Sequence, residues 1–222
     1  YKTERLATGV NLYAMFFKNE IVQTGKYLSD YDILEVANAP SSRHLGAEFD
    51  FSVKLPLVQG LSFSGDIGLD RSVFTDKFNY FWVDSVDENW NYIQDSIDVN
   101  GKPIPLTPRY VANLRFSYDR YPWSSSLRWH MVSHQYLDPR GEKSHSLNPY
   151  KLLDLILAYT IPLRGGEVEF NLRGLNLLGK DYEPFGWTET KDPSSVPARG
   201  VYQPMFIPAA GRSWMVGINL KL

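Results

Sequence analysis

The chain has 222 residues, 43% apolar and 14% aromatic, with a formal net charge of −2. This is enough apolar material for one sizeable folded unit, and the charge balance leaves no electrostatic footprint for nucleic acid. The absence of cysteine excludes disulfides, thiolate metal sites and thiol nucleophiles together.

No apolar run reaches the roughly 18 residues of a transmembrane helix. A membrane-spanning β-strand escapes that criterion, because alternating side chains average out in hydropathy. Period-two alternation, which sends successive side chains to opposite faces, predicts eight strands. In the first, about 6–24, Leu6, Val10, Leu12 and Phe16 oppose Gly9, Asn11 and Tyr13. The second is the clearest: Leu45, Ala47, Phe49, Phe51, Val53 and Leu55 point one way, and His44, Gly46, Glu48, Asp50, Ser52 and Lys54 the other. A helix would scatter those residues around its circumference. The third sets Leu61, Phe63, Ile67, Leu69 and Val73 against Ser62, Ser64, Asp66 and Asp70. Arg71 is the one charge on its apolar face, near the outer end and within reach of lipid headgroups. Residues 110–119 oppose Tyr110, Ala112, Leu114, Phe116 and Tyr118 to Asn113, Arg115, Ser117 and Asp119. Residues 123–132 oppose Trp123, Leu127, Trp129 and Met131 to Ser124, Ser126, Arg128 and His130. In 151–161 Leu153, Leu155, Leu157, Tyr159 and Ile161 face away from Asp154 and Thr160. Val168, Phe170 and Leu172 then oppose Glu169, Asn171 and Arg173, and the last strand sets Trp214, Val216, Ile218 and Leu220 against Ser213, Gly217, Asn219 and Lys221.

A soluble β-sandwich also alternates, so the connections have to discriminate. Those near 56–60, 119–123 and 162–166 are tight, whereas those near 25–42, 76–108, 137–149 and 179–211 are long. Short and long alternate strictly, as in outer-membrane barrels with short periplasmic turns and long extracellular loops. Tyr118, Trp123 and Tyr159 flank the short turns and Tyr110 and Trp214 the long loops, all on the apolar face where interfacial girdles belong. The fold expected is an all-β, antiparallel transmembrane β-barrel segment.

Specific motifs then resemble one family. Thr107-Pro108-Arg109-Tyr110 leading to Leu114 and Tyr118 resembles the "TPR…L…Y" strand of TonB-dependent outer-membrane receptors. Tyr150 to Asp154 is similar to that family's "Y…D" strand. Gly174-Leu175-Asn176-Leu177-Leu178-Gly179-Lys180-Asp181-Tyr182 resembles its "NL(F/L)…K.Y" motif, the most specific of the set. Asn38-Ala39, Arg43, Gly46 and Glu48 match its "NA…R..G.E" pattern, and Gly211-Arg212-Ser213-Trp214 its "GR.(W/Y)" closing-strand start. The matches run in family order across roughly 5–222. One departure is Leu222, where such barrels usually end on an aromatic ring.

The resemblance implies that residues 1–222 are the C-terminal portion of a barrel of about 22 strands, contributing its last eight. The N-terminal plug with its TonB box and the earlier strands would lie outside this sequence, an expectation that the start at Tyr1 without methionine also suggests. It implies an outer-membrane location, lipid around the barrel, TonB acting through the plug, and energy-coupled uptake of a scarce nutrient. Ferric siderophores are the commonest implied substrate, followed by cobalamin and oligosaccharides. The alternative is a self-contained small eight-stranded barrel, either a scaffold or adhesin or a barrel enzyme. Enzyme signatures such as Gly-x-Ser-x-Gly or His-Glu-x-x-His do not occur, so no catalytic residue, metal site or cofactor is expected.

Binding is expected in the loops. Loop 76–108 carries Tyr80, Trp82, Trp90 and Tyr92, rings able to stack on a ligand or simply to pack the loop; loop 179–211 carries Phe185, Trp187, Tyr202 and Phe206. Arg115, Arg128, His130 and His134 are expected to line the lumen. On one strand the two histidines would lie roughly 13 Å apart, too far to chelate one metal.

Overall fold

The computed structural model describes residues 1–28, 33–88, 92–190 and 202–221. Its strands in chain order are β1 (Leu6–Leu28), β2 (Ile33–Lys54), β3 (Leu61–Phe74), β4 (Asn79–Val86), β5 (Tyr92–Asp98), β6 (Tyr110–Arg120) and β7 (Trp123–Val132). They continue as β8 (Gln135–Tyr136), β9 (Ser146–Leu147), β10 (Tyr150–Leu163), β11 (Gly166–Leu175), β12 (Phe185–Thr190), β13 (Tyr202–Ile207) and β14 (Ser213–Lys221). One eight-stranded antiparallel sheet runs β1-β2-β3-β6-β7-β10-β11-β14, in the order of the chain. The pairs β4–β5, β8–β9 and β12–β13 form separate small hairpins within the connections.

Register assigns the faces. Val10 and Leu12 lie opposite Phe49 and Ala47, Phe49 opposite Ile67, and Ile67 opposite Ala112. Farther along, Leu114 meets Trp129, Trp129 meets Leu153, and Phe170 meets Ile218. Among the described residues nothing forms a second layer over this apolar face: Leu12 is 75% exposed, Val216 79% and Ile218 66%. Phe49, Leu114, Trp129 and Ile218 therefore do not meet in a dry core, as a sandwich requires. An uncovered apolar face of this extent is the pattern that the outer surface of a transmembrane barrel presents. Its rings pack across strands, Phe63 stacked on Phe116 at 4.2 Å, with tilted contacts of Phe51 with Phe63 at 5.0 Å and Trp123 with Tyr159 at 4.5 Å.

Among the described residues β1 pairs only with β2 and β14 only with β11. The sheet is thus open at both edges and is not the small closed barrel of the alternative reading.

All the tight connections lie at one end, and the long ones fold. The expected loop 25–42 is mostly ladder: β1 runs to Leu28 and β2 begins at Ile33, with a register shift between Gln23 and Tyr27. Its Ile, Val, Leu and Tyr content favours pairing over open loop. Loops 76–108 and 179–211 carry the β4–β5 and β12–β13 hairpins.

The buried apolar core sits at this loop-bearing end. Ala39, Phe74, Tyr80 and Val99 are almost fully enclosed, with Val22, Phe78, Trp82, Ile97 and Ile104 packed around them. Gly25 makes that packing feasible, because its φ of +75° is open to glycine and a Cβ there would overlap the Phe81 carbonyl oxygen of β4.

Candidate functional site

The polar face of the sheet is a wall of cross-strand hydrogen bonds. Asn113 of β6 donates to Asp66 of β3 at 2.8 Å, and its carbonyl contacts His130 Nδ1 of β7 at 2.7 Å. In β1 and β3, the Tyr13 hydroxyl donates to Asp70 at 2.9 Å, Ser72 donates to the same carboxylate, and Ser72 contacts His44 Nδ1 at 2.7 Å. Tyr13 lies flat over Gly46, where a side chain would collide with the ring.

Two of the family-like motifs meet in space. Asp154 accepts from Arg128 Nη2 at 2.6 Å on one side, and from the backbone N–H of Asn176 at 2.9 Å on the other. Asn176 holds a positive φ of 50° and ties its side chain to the backbone of Lys180 in both directions, at 2.8 and 3.0 Å. The Tyr150 and Tyr182 rings pack at 4.5 Å. The "Y…D" strand is thus a clamp on the turn that carries the "NL…K.Y" segment.

Above the wall, the folded loops enclose an aromatic cavity of about 440 Å³. Phe74, Phe78 and Tyr80 line it from one side, Phe185 and Trp187 of β12 from the other, and Leu106 and Leu137 between them. The volume is within the range of small-molecule sites. Leu106, at a positive φ of 56°, also lines a polar cavity of about 320 Å³ with Tyr13, His44, Glu48, Asp70 and Ser72. One side chain thereby borders both the aromatic vestibule and the polar wall.

Beside the vestibule Asp138 is 1% exposed and accepts from Arg140 Nη2 at 2.9 Å, with His145 Nδ1 at 3.0 Å from the same carboxylate. Arg140 also touches His145 and covers the Trp82 ring at 4.9 Å. Burial pushes the Asp138 carboxyl above the ordinary aspartate range, against the opposing pull of Arg140.

The expected site residues divide accordingly. Tyr80 lines the vestibule while belonging to the buried cluster at 5% exposure, and Trp82 is held between that cluster and Arg140. Trp90 and the side chain of Tyr92 lie outside the described residues. Arg115 and Arg128 are cross-strand neighbours on the polar face and line one cavity with Asp50 and Asp66. His130 joins the polar ladder. His134 does not, because β7 ends at Val132; its ring packs on Tyr136 at 4.9 Å. The sequence pattern does not announce the Asp138–Arg140–His145 cluster; its local signal is the Asp-Pro-Arg-Gly turn sequence at 138–141.

An antiparallel sheet with one uncovered apolar face, one polar face, tight turns at one end and folded loops at the other defines the wall of a transmembrane β-barrel. The family model described as "TonB dependent receptor-like, beta-barrel" matches residues 1–177, and the chain belongs to that family. No curated protein matches it in sequence. Among solved structures it resembles the ferric yersiniabactin uptake receptor FyuA of Yersinia pestis, at 18% identity and a TM-score of 0.66, over 100% of this chain and 28% of that one. The siderophore receptor PiuA of Acinetobacter baumannii matches at 19% and 0.67, over 100% and 27%. The copper transporter OprC matches at 14% and 0.65, over 100% and 30%. The chain thus spans under a third of the length of these proteins and is a partial barrel. The family consists of transport receptors, not enzymes.

Proposed function

We propose that residues 1–222 form the C-terminal part of the barrel of an outer-membrane receptor that binds a bulky, scarce nutrient outside and passes it along the polar wall. A ferric siderophore is the first substrate class, supported by the ferric yersiniabactin uptake named for FyuA and by the siderophore receptor named for PiuA; the copper transport named for OprC adds a copper complex to the ligands to be tested. Cobalamin and oligosaccharides are further candidates for the same ring-lined site. Energy would come from TonB acting through a plug outside this segment, and lipid would surround the apolar face.

The observation that carries this reading is the vestibule. Rings from two loops far apart in sequence, Phe78 and Tyr80 in one and Phe185 and Trp187 in the other, line a single cavity at the loop-bearing end. Flat rings suit catecholate, corrin or sugar faces, and each aromatic pairing contributes about 0.5–1.5 kcal/mol beyond its area. The test is equilibrium binding of a panel of ferric siderophores, a copper complex, cobalamin and oligosaccharides to the complete receptor, wild type against the Phe78→Ala/Trp187→Ala pair. Loss of two ring contacts predicts roughly tenfold weaker binding of the true ligand or more. Unchanged affinity for every ligand that wild type binds would remove the vestibule from the site.

A further inference from the structure

The cavity of about 320 Å³ bordered by Leu106 presents side-chain lone pairs to whatever enters it. Three hydroxyls line it, and each commits its proton within the protein. Tyr13 donates to Asp70 at 2.9 Å, Ser72 donates to the same carboxylate, and Thr107 donates to the Ile104 carbonyl at 2.6 Å. Because the Ser72 proton goes to Asp70, the 2.7 Å contact between Ser72 Oγ and His44 Nδ1 uses the proton of the histidine. His44 Nε2 is enclosed, without a hydrogen-bond partner among the described residues, and 3.6 Å from Glu20. It therefore turns no donor into the cavity either.

Acceptors and negative charge are left over. Asn11 donates to one Glu48 carboxylate oxygen at 3.0 Å, and the other oxygen has no hydrogen bond among the described residues. Neither Glu48 nor Asp70 forms an ion pair with any of those residues. No described Lys or Arg lines the cavity; Lys102 and Arg109 border a separate cleft that also reaches Asp70. A lining of this kind repels anions, offers nothing to a carbonyl, and suits a cation that brings its own N–H donors. A protonated primary amine has three donors and no acceptor. A bare metal ion fits less well, because among the described residues no three His, Asp or Glu side chains gather as ligands.

We propose that this cavity is a binding site for a protonated primary amine of the transported nutrient, with the Glu48 carboxylate as its charge partner and the Tyr13 and Thr107 oxygens as further acceptors. Leu106 borders both this cavity and the aromatic vestibule. A ligand with rings in the vestibule and an aminoalkyl arm in the cavity engages the two together. That two-part ligand rests on the vestibule reading above, whereas the amine site stands on its own lining.

The probe is carbon-labelled n-butylammonium, titrated against the complete receptor in vesicles and read by the broadening of its methylene resonances. Its neutral and anionic counterparts, n-butanol and butyrate, are titrated alongside. Butylammonium should bind about tenfold or more tightly than butanol, and butyrate should not compete. Glu48→Gln keeps an oxygen for Asn11, removes the charge and adds an amide donor, so butylammonium affinity falls about tenfold; Glu48→Asp keeps the charge and retains most of the affinity. Equal binding of butanol and butylammonium overturns the proposal, as does equal butylammonium affinity in wild type and Glu48→Gln. Absence of butylammonium binding to the complete receptor overturns it too. The Phe78→Ala/Trp187→Ala pair should bind butylammonium as wild type does, so failure of the vestibule reading and failure of the amine site are read separately. Loss of butylammonium binding in that pair would place the amine in the vestibule and overturn the assignment to the Leu106 cavity.

Discussion

Replacing Asp154 with Ala tests whether the strand-to-turn clamp is what shapes the segment after β11. Three donors share this carboxylate: Arg128 Nη2 at 2.6 Å, Arg128 Nε at 3.2 Å and the Asn176 backbone N–H at 2.9 Å. Asn176 is 4% exposed, so its N–H would be stranded away from water at a cost of about 1–3 kcal/mol. The Arg128 side chain is 49% exposed and returns to solvent once released, which reduces the ion-pair share to about 0–1 kcal/mol. Together these give about 1–4 kcal/mol, centred near 2.5 kcal/mol, of local destabilisation. Asn in place of Asp keeps an acceptor for Asn176 and loses the charge, leaving about 1 kcal/mol. Amide hydrogen exchange on the complete receptor in lipid reads the effect directly. Protection at Asn176 and Lys180 should fall about 30-fold or more in Asp154→Ala, and several-fold in Asp154→Asn. Unaltered protection in the alanine variant, or equal losses in both variants, would refute the clamp.

Four further outcomes follow from the same geometry. Leu12→Arg puts a charge on a widely exposed part of the apolar face and should cost about 2–4 kcal/mol or prevent insertion, as read by folded-barrel yield in vesicles; a wild-type yield would contradict the face assignment. Arg140→Ala leaves Asp138 buried beside His145 and uncovers Trp82, so proteolysis between 133 and 149 should accelerate about tenfold or more, whereas Arg140→Lys restores part of the resistance. Because the folded state raises the Asp138 carboxyl, the native state binds that proton more readily than the unfolded chain. Its contribution is therefore fully present in acid and declines as pH rises through the raised value, and carbon-detected titration should place its midpoint above that of an exposed aspartate. Gly46→Val drives the Tyr13 ring off the backbone and breaks its bond to Asp70; a preserved Tyr13 environment in ring-proton spectra would contradict the packing.

The sheet was legible residue by residue. The run from Leu45 to Leu55 set its faces without any tertiary information, because a period of two admits one separation of Phe49 from Asp50, and pairing of neighbouring strands carries that separation across the sheet. The tight turns around Pro56, Pro122 and Gly165 likewise followed from local turn chemistry. Loop structure was less accessible. Nothing local required Ile33 to Val36 to continue the β1–β2 ladder, nor His134 to leave the strand that holds His130.

What the sequence alone determined is the division of the strands into an apolar and a polar face, the sorting of their connections by length, and the family motifs. Tertiary structure alone decided that Phe78 and Trp187, more than a hundred positions apart, line one vestibule. It also decided that Asp154 holds Asn176 and that Asp138 is enclosed by Arg140 and His145. The reason is physical: alternation is enforced between adjacent peptide units, whereas convergence of loops depends on which distant surfaces exclude water from one another, and no local pattern encodes that.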